Sequence, residues 1–447
     1  MDVEKGERIL DADEHDNEGA TVTRDTQHKA QRTASQGAHQ TVHQSARRTT
    51  NRNTKPAQKI YLDNCSTSWP KPPGVAKAVS EYITDVGCNL DRSGYGTSCT
   101  LNKMARESRA LLADLFNYPN LRHVVMTPSI TFALNLVIKG LLRPGDHALI
   151  SGMEHNAVTR PLFQLREKGV TFDFIPCDSQ GCLDPADIAP LIKPTTRMVI
   201  TTHGSNVCGT ILPIRQIGAL CRERDLIYVV DSAQTAGVLP VDMEKDHITV
   251  LCFAGHKGLM GPPGIGGFII EEDLAKTMEP VIAGGTGVMS EMDTMPETLP
   301  MRFEAGTPNL MGFYGLRTSL KWIKRTGLAA IRAKEAQTYA SFLTGVQQVE
   351  GVRILGTQDP ARSLCVVALD TPGIDIGSVA WRLDNTYRVI TRCGLHCAPW
   401  ANRTLGTFPR GTLRLSPGYF TRKKDLNYAL GALEESIAWA RKHPTTR

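Results

Sequence analysis

The chain has 447 residues, 41% hydrophobic and 21% charged, enough apolar material for a large core and two domains. Its net charge of +6 is scattered among interleaved acidic residues, without an aromatic-plus-basic groove pattern, which argues against nucleic-acid binding. No run of about 18 apolar residues exists, and the first residues carry no apolar signal core, so the expectation is a soluble cytoplasmic protein with no membrane contact.

Residues 1–58 contain no Phe, Trp or Tyr and are rich in Gln, Thr, His, Arg and Asp. Such a segment cannot bury enough apolar surface to offset its ordering entropy, which predicts a disordered tail. The folded part begins near KIYLDN, 59–64. RHVVMT (122–127) reads as a strand leading into a helix over 130–142. DHALIS (146–151) is a second strand, followed by a helix over about 156–168. RMVITTH (197–203) and DLIYVVD (225–231) flank a helix at 213–224, and ITVLCFA (248–254) and GGFIIEE (266–272) complete the series. Uninterrupted apolar strands alternating with helices predict an α/β domain over 59–310, with a mostly parallel sheet covered on both faces.

After about residue 311 the order changes. A long helical region (311–350) precedes the strand SLCVVALD (363–370), a helix near 376–386, the strand TLRLS (412–416) and a final helix over 422–441. Leu426, Leu430, Leu433 and Ile437 of that helix form one apolar stripe. Residues 311–447 therefore read as a smaller α+β domain, joined by the first residues of the folded chain.

Eleven cysteines are scattered singly, an odd count that argues against a complete disulfide framework. The pairs Cys177/Cys182 and Cys393/Cys397 lack the spacing of zinc motifs, and no metal is expected.

In a doubly wound sheet, ligands sit beyond the carboxyl ends of the strands. Here those ends offer Ser129 and Thr131 before a helix, then His155, Asn206, Asp231 with Gln234, and His256 with Lys257. Backbone amides and hydroxyls at a helix N-terminus suit a phosphate. No GxxxxGK[ST] is present, so a nucleoside-triphosphate loop is unsupported, and GPPGIGG (261–267) is a weak dinucleotide fingerprint. An aspartate ending a buried strand is costly to desolvate without a positive partner. A protonated pyridine nitrogen is such a partner, and an Asp–pyridinium pair with a lysine imine is what pyridoxal phosphate requires. Each residue alone has a bland reading: a cap for Asp231, a structural hydrogen bonder for His155, a surface amine for Lys257. Their succession on consecutive strand ends favours the cofactor.

With these residues in hand, the chain resembles the class V aminotransferases among fold-type I pyridoxal-phosphate enzymes, and within them the cysteine desulfurase and selenocysteine lyase branch. The pieces are YLDNCSTSWPKP, MEHNAV, HGSNVCGT, VVDSAQTAG, AGHKGLMGPPGIGG, RFEAGTPN and TRCGLHCAP, and the resemblance covers essentially all of 59–441. The resemblance implies a seven-stranded type of sheet with a smaller C-terminal domain carrying the Cys397 loop. It also implies roles. Lys257 forms the imine, Asp231 meets the pyridine nitrogen, Gln234 bonds the ring hydroxyl, and His155 stacks on the ring and takes part in proton transfer. Ser129, Ile130, Thr131 and His256 form the phosphate site. Gly306 and Thr307 reach the phosphate of the other subunit, which implies a homodimer. Asn206, which also contacts the cofactor, and Arg414 hold the substrate carboxylate, and a guanidinium suits that task through two parallel hydrogen bonds.

The implied reaction removes sulfur or selenium from L-cysteine or L-selenocysteine, giving L-alanine and a Cys397 persulfide that passes to a sulfur-acceptor protein. A free thiol has a pKa of about 8.5, so the thiolate needs a helper, and His396 or Arg392 is adjacent. Cys393 is no family position and is a candidate for trapping Cys397 as a disulfide on oxidation. Ala254, Phe132 and Leu395 depart from the family pattern, where a serine, an acidic residue and a histidine are common. The rival readings are a selenocysteine lyase, another class V enzyme (aminotransferase, epimerase or β-lyase) with Cys397 incidental, and a non-catalytic scaffold.

Overall fold

In the computed structural model, residues 59–90 and 96–444 are described, and the expected tail over 1–58 lies outside them. The first strand, β1 (Ile60–Tyr61), stands apart from a seven-stranded sheet made of β2 (Val124–Thr127), β3 (His147–Ser151), β4 (Thr171–Ile175), β5 (Thr196–Thr202), β6 (Ile227–Asp231), β7 (Val250–Ala254) and β8 (Gly266–Ile270). The spatial order is β2-β8-β7-β6-β5-β3-β4. Pairs from β4 to β7 are parallel, whereas β8 runs antiparallel to both β7 and β2. Two reversals restore the direction, so β2 points the same way as β7. The sheet is mostly parallel, as the apolar runs predicted.

Alternation along each strand feeds two cores. Val124, Val199, Tyr228, Val230, Leu251 and Phe253 face one side, where α1 (Val75–Glu81), α2 (Gly96–Leu115) and later helices cover them. Val125, Ile200, Val229, Val250, Cys252 and Phe268 face the other, against α3 (Ile130–Leu141) and α4 (Asn156–Arg166). Burying each such side chain contributes about 1.5–3 kcal/mol, and a strand buried on both faces reads as an unbroken apolar run.

On the first face, α5 (Ile214–Glu223) presses its backbone against the 246–247 loop. A Cβ at Gly218 would overlap the Asp246 carbonyl oxygen. Gly218→Ala is therefore expected to destabilise the fold by about 3 kcal/mol, through forced separation of helix and loop. A urea midpoint equal to that of the parent chain would contradict this packing.

After α6 (Glu272–Thr277), the expected helix over 311–350 is two, α7 (Leu310–Thr326) and α8 (Leu328–Val346). Gly327, at φ +85°, breaks the ladder between them. A second sheet follows, from β9 (Arg353–Leu355), β10 (Val367–Asp370), β12 (Arg392–Gly394) and β13 (Thr412–Leu415), all antiparallel in the order β12-β13-β10-β9. β11 (Val389–Ile390) pairs in parallel with β1, which ties the first described residues to this part of the chain. The expected strand over 363–370 is shorter because Leu364 donates instead to the Gly209 carbonyl, and Ser363 bridges Thr210. The helices α9 (Ile376–Tyr387) and α11 (Lys423–Lys442) cover this sheet with Val379, Leu383, Leu426, Leu433 and Ile437, and the short α10 (Pro399–Thr404) sits between β12 and β13. Leu430 of the predicted stripe is only partly buried. Among the described residues, no helix is long and apolar enough to cross a membrane.

Candidate active site

Because they share a direction, β2, β3, β5, β6 and β7 end on one rim, and the polar residues that follow them meet there. After β2, Ser129 caps α3 by accepting the Phe132 N–H at 3.2 Å, with Ile130 and Thr131 in the first turn. That is a helix N-terminus of the kind that binds anions. Phe132 packs against the adjacent apolar cluster, and Ala254 is buried inside it.

His155 caps α4, its Nδ1 accepting the Ala157 N–H at 3.0 Å. Burial pulls its pKa down to about 4, reinforced by the charges of Lys257, Arg392, Arg160 and Arg414. The ring is therefore neutral with its proton on Nε2, a donor and not an acceptor.

Asp231 ends β6 and is 3% exposed. It accepts the Ala233 N–H at 2.8 Å. Burial raises its pKa, and the Lys257 charge opposes this without forming an ion pair. A buried carboxylate with no counter-ion in contact is unfavourable by itself. This orphaned charge is the feature that fits the cation of a protonated pyridine. Nearby, Gln234 Nε2 donates to the Cys65 carbonyl at 3.1 Å.

Lys257 follows β7 and is half-buried. Its amine makes no ion pair with any described residue, and burial pushes its pKa below the ordinary lysine value. Asp231 and Cys65 oppose that shift, while Arg414 and Arg392 reinforce it. The peptide before it is pinned. The His256 carbonyl accepts from Lys71 Nζ at 2.9 Å, Thr67 Oγ1 and Ser68 N at 3.1 Å, and Ser68 Oγ at 3.2 Å. The His256 ring itself is held neutral, burial bringing its pKa to about 4.

Lys257 and Gln234 share a cavity of about 50 Å³ with Cys65, Ser416 and Glu335. Glu335 is 8% exposed, and burial lifts its pKa to about 7 against the opposing charge of Arg332. A raised carboxyl pKa means that the folded chain holds a proton which the unfolded chain releases near pH 4.5. The associated stability is thus full below that pH and is lost as pH rises toward 7. Glu335→Gln is expected to remove this loss. Its denaturation free energy relative to the parent should be more favourable at pH 8 than at pH 5, by up to about 3 kcal/mol, and a pH-independent difference would refute the assignment.

Arg414 on β13 is 1% exposed. Its Nη1 donates to the Asn206 carbonyl at 2.7 Å, and its Nη2 to Asp63 Oδ1 at 2.6 Å and Ser66 Oγ at 3.0 Å. Its Nε is buried without a partner. The Asn206 side chain donates to the His396 carbonyl at 2.7 Å, and the Asn156 N–H to the Cys397 carbonyl at 2.8 Å. The loop after β12 is thereby held from two sides, with His396 and Cys397 both in the left-handed region at φ +51° and +58°. Non-glycine residues persist there only when their surroundings over-determine the backbone.

Cys397 is exposed, and Arg392 Nη2 reaches its Sγ at 3.6 Å. Of the two helpers expected for this thiol, only Arg392 is in place. His396 is 3% exposed and turned inward to the Thr412 hydroxyl and carbonyl, and burial brings its pKa to about 3, so it carries no charge. Cys393 and Cys397 are both free thiols.

Gly306 and Thr307 line a cavity other than that of Lys257. They are exposed and line a cleft of about 480 Å³ with Thr127, Pro128 and Arg106, and the Lys257 cavity does not include them. The sequence reading assigned no role to Asp63 or Ser66 and gave Arg392 only as one of two neighbours of Cys397. Its available signal was the polar run NCSTS directly after the first apolar strand.

The rim brings a buried aspartate, a desolvated lysine and a helix N-terminus together in an α/β fold, a set of residues that fits an enzyme of the pyridoxal-phosphate type. The Aminotransferase class-V family pattern matches residues 60–428, and the chain belongs to that family. It is similar to a probable cysteine desulfurase of Methanothermobacter thermautotrophicus, 32% identical over 84% of this chain and 94% of that one. It is likewise similar to a probable cysteine desulfurase of Pyrococcus abyssi, 33% identical over 85% and 94%. Among solved structures, the apo cysteine desulfurase of Thermococcus onnurineus superposes with a TM-score of 0.79 at 32% identity, over 85% of this chain and 95% of that one. The S-sulfonic acid form of an Escherichia coli cysteine desulfurase does so with 0.76 at 26% identity, over 86% and 95%.

Proposed function

We propose that this chain is a pyridoxal-phosphate-dependent cysteine desulfurase that converts L-cysteine to L-alanine and leaves the sulfur on Cys397. The observation that carries the reading is a rim bearing a buried Asp231 and a desolvated Lys257, together with an anchored, exposed Cys397 beside Arg392 on a loop of the second sheet. When bound, pyridoxal phosphate supplies an electron sink that labilises bonds around the α-carbon of an amino acid.

The remaining roles belong to the chain. Asp231 would hold the ring nitrogen and Gln234 the ring hydroxyl, with the neutral His155 ring over the face of the cofactor. Ser129, Ile130, Thr131 and His256 would take the phosphate. Lys257 would hold the cofactor covalently and would carry the α-proton of the substrate. Asn206 and Arg414 receive the substrate carboxylate, and the unpartnered Arg414 Nε is the donor left for it. Cys397, as a thiolate beside Arg392, attacks the substrate sulfur. The carbon–sulfur bond would break with its electron pair left on the β-carbon, which takes up a proton to become the methyl group of alanine, while a sulfur–sulfur bond forms on Cys397.

Exposure of Cys397 suits delivery of the persulfide to a thiol of an acceptor protein. Gly306 and Thr307, which line a cleft other than the Lys257 cavity, suit a homodimer in which they complete the phosphate site of the partner copy. A reducing cytoplasm is the setting in which such a thiol persists. L-Selenocysteine is the second substrate of this reading.

The test is incubation with L-cysteine or L-selenocysteine, assay of alanine, and mass spectrometry of the Cys397 peptide. Alanine from L-cysteine together with one added sulfur on that peptide is expected. Alanine without added sulfur, or no alanine, overturns the reading.

A further inference from the structure

Two guanidinium groups converge on one hydroxyl in the segment after β1. Ser66 Oγ accepts from Arg392 Nη1 and from Arg414 Nη2, both at 3.0 Å, and donates its proton to Asp63 Oδ1 at 2.8 Å. A serine hydroxyl has one proton and two lone pairs, so this one is saturated and each of its bonds has a fixed direction. Asp63 Oδ1 also takes Arg414 Nη2 at 2.6 Å, which anchors the hub to a buried ion pair. Arg392 has its other nitrogen, Nη2, directed at Cys397 Sγ.

The charges are divided unevenly. Arg414 is paired with a carboxylate, whereas among the described residues Arg392 has no carboxylate within 4 Å. A neutral hydroxyl holds Arg392 in place without cancelling its charge. Had a carboxylate filled the position of Ser66, the guanidinium would present far less positive potential to the sulfur. Without any acceptor there, two like charges would face each other across an unfilled gap, and Arg392 would swing outward.

We propose that Ser66, backed by Asp63, is the positioning residue that aims the Arg392 guanidinium at Cys397 and leaves its charge available to the thiolate. The proposal rests on Cys397 being the sulfur-accepting residue, yet its readout is independent of turnover. Iodoacetamide alkylation of the full chain at pH 7, with and without pyridoxal phosphate, is followed on the Cys397 peptide by mass spectrometry, with the peptide of the free, part-buried Cys88 as internal control. Arg392→Met and Ser66→Ala are each expected to slow alkylation at Cys397 by about tenfold, the scale of one charge-assisted hydrogen bond. Ser66→Ala introduced into Arg392→Met is expected to add nothing, because Ser66 acts through that guanidinium. Ser66→Thr, which keeps the hydroxyl, is expected to match the parent chain.

Ser66→Ala alkylated at the parent rate overturns the proposal. So does Ser66→Ala slowing the Arg392→Met chain by the full factor again, or Ser66→Thr being as slow as Ser66→Ala. Persulfide on Cys397 reports separately on the sulfur-transfer reading. A chain that carries none, yet shows the Ser66–Arg392 coupling, removes that reading and keeps the positioning role.

Discussion

Lys257→Ala is expected to abolish covalent capture of pyridoxal phosphate and to lower turnover of L-cysteine by about a thousandfold or more, since the same amine carries the α-proton. In the parent chain, borohydride treatment should fix the cofactor to the peptide containing Lys257, and in the variant it should fix none. The structure supplies a demanding rival for this assignment. Lys71 Nζ lies on the carbonyl of His256, the residue before Lys257, and burial has brought its pKa down to about 8. By basicity alone Lys71 is an available nucleophile at neutral pH. What separates the two amines is occupancy. Lys71 Nζ donates to both the His256 carbonyl and Ser68 Oγ at 2.9 Å, so its reaction would break the anchor of the neighbouring peptide. Among the described residues Lys257 Nζ has no such hydrogen-bond partner, and Asp231 lies on the adjacent strand end. Cofactor found on the Lys71 peptide of the borohydride-treated parent chain would refute the assignment.

The rim was legible in the sequence because parallel strands buried on both faces leave an unmistakable apolar run, and a polar residue ending each run can lie only at the rim. Asp231 and Lys257 were placed in that way, through the register of β6 and β7. The direction of β8 was not legible, since GGFII has the same apolar character in either orientation. The edge strand β4 went unread for a different physical reason. It has a neighbour on one side only, and its TFDFI pattern is exposed at Thr171 and half-buried through Phe174.

The hub on Ser66 was beyond local reading, because its partners Arg392 and Arg414 lie more than three hundred positions away. His396 shows the converse error. Adjacency to Cys397 made it a plausible helper, but consecutive left-handed residues turn the two side chains to different surroundings, one exposed and the other buried on Thr412. Sequence proximity predicts contact along a strand or helix far better than through such a turn.

Cys397→Ala is expected to reduce alanine formation from L-cysteine by on the order of a hundredfold or more, while pyridoxal phosphate still binds. Binding is spared because the residues that would hold the cofactor stand at the ends of β2, β3, β6 and β7, whereas Cys397 enters on a loop from the second sheet. The loss follows from the balance of bonds. A thiolate on the protein receives the sulfur at the oxidation level of the element, and without it that sulfur has no acceptor as alanine forms. The same variant should lose far less activity toward L-selenocysteine, because selenium leaves more readily than sulfur, and this contrast separates a lost nucleophile from a damaged site. Cys393→Ala is the matched control. Cys393 lies in β12 four positions before Cys397, is equally free, and has no described contact with Arg392 Nη2. Its removal is expected to change turnover by less than about twofold. If Cys397→Ala desulfurates L-cysteine at the parent rate, the exposed thiol is incidental, and the rim serves another amino-acid reaction of the class V family.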